Sequence, residues 1–470
     1  MSLENEIKES DKERAPLEKP LEKIVRPLRN FVKSQVASGV LLLCATVVAI
    51  IVANSPWSDL YHSLNHFEFS ISLDQWSLSH SLKHWVNDGL LVLFFFLLGM
   101  EIKRELLVGD LKDFSQSSFV LVIALGGMVA PALIYFIITS VENSEFTRGW
   151  GIPMATDTAF ALGLLSLLGK RVPPIATVLL SALAIVDDIG AVLVINLFYS
   201  EGIALAPIVN SGLMIVMLVV MNMAGVRTPL PYFIVGILLW YFVLSSGVHA
   251  TTAGIIAAFA IPARPKVKTH WFSKRMRKLL MHYEKIDDTD STILEQQRQH
   301  DLVEEVQSSA NITMTPLQQW SSGLERPVAF FIIPLFALLN AGVTLPQNIN
   351  ELEISSIWLG VFLGLLIGKP LGIMLFAFTA IKLKIAKMPK DFSMPQLLGL
   401  SCLAGIGFTM SLFISTLAFD SSNELLIQAK LGVLTGSLVA AIAGVAILSL
   451  YSKRTGKTWN KRATAKPSQN

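Results

Sequence analysis

Charge is scarce in this chain. Asp, Glu, Lys and Arg make up 16% of its 470 residues, against about 25% in an average soluble domain. With 52% hydrophobic residues and a mean hydropathy of +0.56, the deficit excludes a soluble globular enzyme and places the chain among polytopic membrane proteins. Cysteine is scarce too. Cys44 and Cys402 both lie in apolar segments, which excludes a disulfide framework and leaves two small buried residues. No cleavable signal peptide is expected, because the polar stretch before the first apolar run is too long for an n-region and the run itself is a full span. The longest polar interval, 263–322, is of mixed charge and offers too little apolar residue to form a catalytic core. No nucleic-acid partner and no cofactor are expected.

Long apolar runs are what the chain has in quantity. Hydropathy predicts spans at 36–53, 84–102, 118–139, 151–169, 174–198, 204–223, 229–245, 247–262, 326–343, 356–378, 396–418 and 426–450. The expected fold class is therefore an all-α polytopic membrane protein with twelve transmembrane helices. Residues 1–35 form an N-terminal tail with a surface helix at 21–31, 36–262 hold spans one to eight, and 263–322 form a loop. Residues 323–452 hold spans nine to twelve, and 453–470 a basic tail. Alternation through Phe67–Leu73 and again through Trp76 and Leu78 predicts a β-hairpin over about 67–78, outside the bilayer. With the N-terminus placed in the cytoplasm, 33 Lys and Arg fall on that side, while only Lys83 and Arg148 fall outside. This asymmetry supports an even number of spans and a cytoplasmic location for both termini. Within the long loop, 271–280 reads as a basic amphipathic segment suited to anionic lipid, and 287–305 as an acidic helix.

Against this apolar background, a few ionisable residues stand out. Asp187 and Asp188 sit side by side in the middle of the run 174–198. A charged Asp at a helix centre costs roughly 2.5–3.5 kcal/mol on insertion scales, so a pair implies a task. Adjacent helical residues point about 100° apart, so one carboxylate can face an ion while the other meets a base. Lys369, in the middle of the tenth span and followed by Pro370, is the candidate base, since a charged Lys there needs an acidic partner. Asp157, flanked by Thr156 and Thr158, is a third intramembrane acid in a stretch suited to breaking a helix. Ala404–Ser411 is a second stretch able to unwind. Two interrupted spans in related positions point to the ion site of a transporter. His249 near the outer end of the eighth span is a candidate pH sensor or an ordinary hydrogen-bonded histidine. Glu101 and Glu105 close the second span within a charge cluster that reads as interfacial, with a regulatory role left open.

These residues together resemble the NhaA family of bacterial sodium–proton antiporters. The matching stretches are Val86–Leu107, Met154–Pro173, Ala182–Ile195, Ser246–Pro262, Pro334–Val343, Gly364–Ile373 and Gly405–Ser415. The resemblance implies inverted repeats of spans three to five and ten to twelve, with the fourth and eleventh unwound and crossing at mid-membrane. It implies exchange of cytoplasmic Na⁺ or Li⁺ for two external protons across the bacterial inner membrane, and a homodimer formed through the outer hairpin, with membrane lipid the other partner. By motif position, Asp188 is the central cation ligand, Asp187 the second acid and partner of Lys369, and Asp157 with Thr156 completes the ion site. His249 matches a histidine linked to pH response, and Glu101 and Glu105 are further candidates. The chain departs from the family before the ninth span, where Leu317–Pro327 contains no histidine and the preceding loop is long.

Two other classes fit less well. An intramembrane aspartyl protease would carry its acids on two facing helices with a Gly-x-Gly-Asp signature, and here the acids are adjacent. A transporter of organic solutes would require an aromatic-lined cavity, and the mid-membrane polar set here is small and acidic.

Overall fold

The computed structural model describes residues 35–73, 76–109, 114–142, 144–200, 202, 204–267, 269–283, 297–344, 355–389, 392–419 and 422–455. The tails, the surface helix expected at 21–31, the hairpin turn at 74–75 and the start of the acidic stretch at 287–296 lie outside these residues. In chain order the helices are α1 (Gln35–Ala53), α2 (Ser58–Asn65), then after the hairpin α3 (Leu91–Val108), α4 (Phe114–Thr139), α5 (Thr158–Leu168) and α6 (Pro174–Phe198). They continue as α7 (Leu205–Met223), α8 (Pro229–Leu244), α9 (Thr251–Ala260), α10 (Thr269–Tyr283), α11 (Gln297–Thr313), α12 (Pro316–Pro327) and α13 (Ile333–Asn340). The last five are α14 (Ser356–Leu363), α15 (Lys369–Lys382), α16 (Met394–Ala404), α17 (Phe408–Ala418) and α18 (Asn423–Thr455). The hairpin pairs β1 (Glu68–Leu73) antiparallel with β2 (Trp76–Ser81), Glu68 opposite Ser81. Its second strand runs three residues beyond the expected end at 78.

Among the described residues, seven helical runs are long and apolar enough to cross a bilayer, or nine if two interrupted pairs each count as one. The fold is an all-α, multi-pass membrane architecture with one small hairpin. The difference from twelve has local causes. Helix α3 carries Glu101, Lys103, Arg104 and Glu105 in its last turns, and α8 is only 16 residues long. The segment expected at 247–262 is helical over ten residues. Before it, Gly247 takes φ +84°, a left-handed conformation that a helix cannot contain. The ninth apolar run, expected from 326, belongs to a helical stretch that begins at Pro316. There Thr315 and Gln318 form a capping box, which fixes a helix start that hydropathy does not register.

The chain divides into two compact units. The first holds the described parts of Met1–Asn54, Phe119–Asp187 and Ala341–Asn470. In it α1 packs on α5, and α18 packs along α14, α16 and α17. Glycines set the tightest approach, between α4 and the stretch 364–372. A Cβ on Gly372 would lie 2.0 Å from the Gly126 carbonyl oxygen, and one on Gly368 would lie 2.7 Å from Pro131 Cα. The second unit holds Ser55–Ser118 and Asp188–Asn340. In it α9 packs against α3 through Gly254, where a Cβ would meet the Val92 carbonyl at 2.4 Å. A buried amide pair also joins the π-helical turn Trp85–Leu90 to α13, with Asn340 Nδ2 donating to Asn87 Oδ1 at 2.8 Å.

Candidate ion-binding site

Two broken helices build the site, both in the first unit. A 3₁₀ segment, Phe146–Met154, runs into an extended stretch, and α5 starts only at Thr158. Pro153 and the hydroxyl and carboxyl side chains that follow favour such a break. The second break separates α16 from α17 at Gly405–Gly407, with a bend of 47°. Gly405 is required there, because a Cβ would lie 2.4 Å from the Leu365 carbonyl oxygen. The two breaks bond to each other: Asp157 N donates to Ile406 O at 2.6 Å.

Each break leaves unsatisfied helix ends, and the ionisable side chains meet them according to sign. Asp157 Oδ1 accepts from Phe160 N at 3.0 Å, at the start of α5. Its Oδ2 accepts from Thr409 N at 3.1 Å and from Thr409 Oγ1 at 2.7 Å, at the start of α17. One carboxylate thus caps two helix N-termini, where the macrodipole favours negative charge. Lys369 does the reverse. Its Nζ donates to Met154 O at 2.5 Å, the end of the 3₁₀ segment, and also to Thr156 Oγ1. A cation at a helix C-terminal carbonyl is the favourable arrangement.

Lys369 also pairs with Asp187, Nζ to Oδ2 at 2.9 Å, with both side chains fully buried. Thr156 Oγ1 lies 2.7 Å from Asp187 Oδ2 and 2.9 Å from Ala404 O. Its single hydroxyl proton serves one of these acceptors at a time. The chain delivers Lys369 through a π-helical turn, Gly364–Gly368. Pro370 has no N–H for the carbonyl four residues earlier, and the wider turn accommodates that loss. Asp187 Oδ1 and Thr158 Oγ1 are buried with no hydrogen-bond partner among the described residues. Oxygens of this kind can accept a proton, a water or a hard cation.

Of the residues singled out from sequence, the structure brings Asp157, Thr156, Asp187 and Lys369 into one network. Asp188 follows directly on α6 and is 4% exposed; the chain passes into the second unit between the two aspartates. The remaining three also belong to the second unit. His249 Nε2 lies 2.8 Å from the Tyr199 carbonyl oxygen, so its observed partner is a neutral backbone group. Glu101 and Glu105 lie on α3, where Arg104 Nη2 is 3.4 Å from Glu105 Oε1. Sequence reasoning missed Thr409 as a partner of Asp157. The available signal was a hydroxyl residue two positions after the Gly405-Ile406-Gly407 break, in the first turn of the next helix. The carbonyls of Met154 and Ala404 had no signal at all.

The model of the Na⁺/H⁺ antiporter 1 family matches residues 29–448. The chain belongs to this family. Relatives align over nearly their whole length. The Na⁺/H⁺ antiporter NhaA 1 of Pseudoalteromonas atlantica is 50% identical over 450 residues, covering 96% of this chain and 95% of its own. NhaA of Sulfurimonas denitrificans is 43% identical over 440 residues, 93% of this chain and 98% of its own. NhaA of Helicobacter pylori strain G27 is 43% identical over 428 residues, 91% and 96% respectively. As a member of the antiporter family, the chain is a membrane transporter and not an enzyme.

Proposed function

We propose that the chain exports cytoplasmic Na⁺, or Li⁺, in exchange for two external protons by alternating access across a bacterial inner membrane. The observation that carries this reading is the buried Asp187–Lys369 ion pair, next in sequence to Asp188 and bonded to a broken helix through Thr156. Sodium is a hard cation that takes oxygen ligands, and carboxylates, hydroxyls and carbonyls supply them. Asp188 serves as the central ligand. Asp187 is the second acid, held by Lys369 until a cation or proton competes for it, and Asp157 with Thr156 completes the site. Protons and sodium compete for the same carboxylates, so Asp187, Asp188 and Lys369 titrate as a coupled set. Inward, the site gives up protons and takes sodium; outward, it does the reverse. Two protons per sodium move one net charge, worth about 2.3 kcal/mol per 100 mV of membrane potential.

The architecture that goes with this function has twelve spans, inverted repeats of spans three to five and ten to twelve, and both termini in the cytoplasm. The breaks at 155–157 and 405–407 fall in the fourth and eleventh spans of that scheme. Two copies join through the outer hairpin. His249, Glu101 and Glu105 adjust activity to pH. Reconstitution into proteoliposomes with an interior pH dye tests the exchange. A sodium pulse should move protons the opposite way, choline should not, and a potassium–valinomycin potential should change the rate. Sodium flux without proton movement would contradict the reading.

A further inference from the structure

Helix α17 starts without a cap of its own. Its N-cap residue is Gly407, which has no side chain to offer, and the first N–H groups of an α-helix have no partner within it. Buried donors of this kind are satisfied from elsewhere in the fold. Thr409 N donates to Asp157 Oδ2 at 3.1 Å. Gly407 N and Phe408 N both donate to Ser437 Oγ, each at 3.2 Å. Ser437 lies on α18, 30 residues beyond Gly407, and is 4% exposed. A serine oxygen has two lone pairs, and the second helix break takes both.

Close packing fixes the serine in place. Gly436, just before it, lets α18 approach the π-helical turn Gly364–Gly368: a Cβ there would lie 3.2 Å from Leu365 Cδ1 and 3.3 Å from Phe362 Cα. About one turn further along α18, Ala440 Cβ would meet a Cβ on Gly405 at 3.4 Å. Helix α17 is also tied to the first broken span. Thr409 Oγ1 donates to Asp157 Oδ2 at 2.7 Å, and Ser411 Oγ donates to Ile152 O at 2.6 Å. The start of α17 is therefore held by α18 through Ser437 and by the first break through Thr409 and Ser411. This division matters for Asp157, whose Oδ1 serves Phe160 N and whose Oδ2 serves Thr409. Without the Ser437 oxygen, two more buried N–H groups compete for that carboxylate. Their partial positive charge then faces the ion site unscreened and disfavours a cation.

We infer that Ser437 is a positioning residue for sodium binding: by capping α17 from α18 it reserves Asp157 for Phe160, Thr409 and the transported cation. It acts through Asp157 and not as a ligand. This role rests on Asp157 belonging to the ion site, as proposed above.

Equilibrium binding of radioactive sodium to the purified full-length protein, together with sodium–proton exchange in proteoliposomes, tests it in four forms: wild type, Ser437→Ala, Asp157→Asn and the double variant. Alanine is the best helix former, so α18 is kept, and a dissociation constant does not depend on how much of a sample is active. Ser437→Ala should weaken sodium binding about threefold or more, raise the KM for sodium by the same factor and leave the maximal rate within about twofold. In the Asp157→Asn background the same substitution should have less than about half of that effect on a logarithmic scale. Thr435→Ala is the control. Its hydroxyl bonds to carbonyls of its own helix, Leu431 O at 2.7 Å and Gly432 O at 3.4 Å, so sodium binding should match the wild type. Wild-type binding by Ser437→Ala, an equal loss in Thr435→Ala, or the same Ser437→Ala effect with and without the Asp157 carboxylate would overturn the role of Ser437 alone. Wild-type binding by Asp157→Asn would overturn the place of Asp157 in the ion site and the role of Ser437 with it.

Discussion

Removing the charge of Lys369 should be among the most destabilising single changes available in this protein. The side chain is 0% exposed, and its ammonium serves Asp187 Oδ2 at 2.9 Å, Met154 O at 2.5 Å and Thr156 Oγ1. Lys369→Met keeps much of the volume and deletes all three interactions. It leaves the Asp187 carboxylate buried without its counter-charge, and breaking a buried pair in this way costs about 3–5 kcal/mol. Asp187→Asn strands the ammonium and should cost a similar amount. The double variant removes both charges. A buried pair replaced by neutral groups of similar volume is often close to neutral, so the double variant should recover most of the loss, with a coupling energy of about 3 kcal/mol. Equilibrium unfolding of the purified protein in mixed micelles, followed by tryptophan fluorescence, gives all four corners of the cycle. Coupling below about 0.5 kcal/mol would refute the reasoning, because pairs in direct contact exceed that value.

Three further outcomes follow from the same structure. Thr409→Val should cost about 1–3 kcal/mol by leaving a buried Asp157 oxygen short of a donor, while Thr409→Ser, which keeps the 2.7 Å hydroxyl contact, should cost under half as much in the same unfolding assay. Gly372→Ala, whose Cβ would lie 2.0 Å from the Gly126 carbonyl oxygen, should destabilise by at least about 1–3 kcal/mol; Gly236→Ala on α8, with nothing within 4 Å of its Cβ, should stabilise by about 0.5–1 kcal/mol. His80 in the hairpin lies below its ordinary pKa of 6.5, first through burial and then through the neighbouring His84, with Asp88 opposing. The unfolded hairpin therefore binds a proton more readily than the folded one. Hairpin stability present above pH 6.5 should fall as the pH drops towards the lowered value, and hydrogen exchange of the strand amides should show this slope in the wild type and not in His80→Gln.

How much of this could be read from sequence depended on whether the signal was local. Helix α6 has bounds that hydropathy finds, because Pro173-Pro174 opens a long run that stays apolar on average despite Asp187 and Asp188. Asp187 and Lys369 could be related without coordinates, since each is too costly to stand alone in an apolar helix. The bonds from Thr409 to Asp157 could not, because they join residues 252 apart and depend on how two breaks dock. Helix α9 was overestimated because its flanks are apolar but not helical. The start of α12 was missed because its first residues are polar, and a capping box sets it.

The most direct test of competition between sodium and protons at the paired aspartates is proton release on sodium binding. Purified protein in weakly buffered detergent solution is titrated with NaCl at a series of pH values, with choline chloride as the control, and released protons are counted with a pH dye. The expected result is proton release on sodium addition, an apparent sodium affinity that falls as the pH is lowered, and loss of both in Asp188→Asn. Sodium binding that is independent of pH, or undiminished proton release from Asp188→Asn, would contradict the assignment of exchange to these carboxylates.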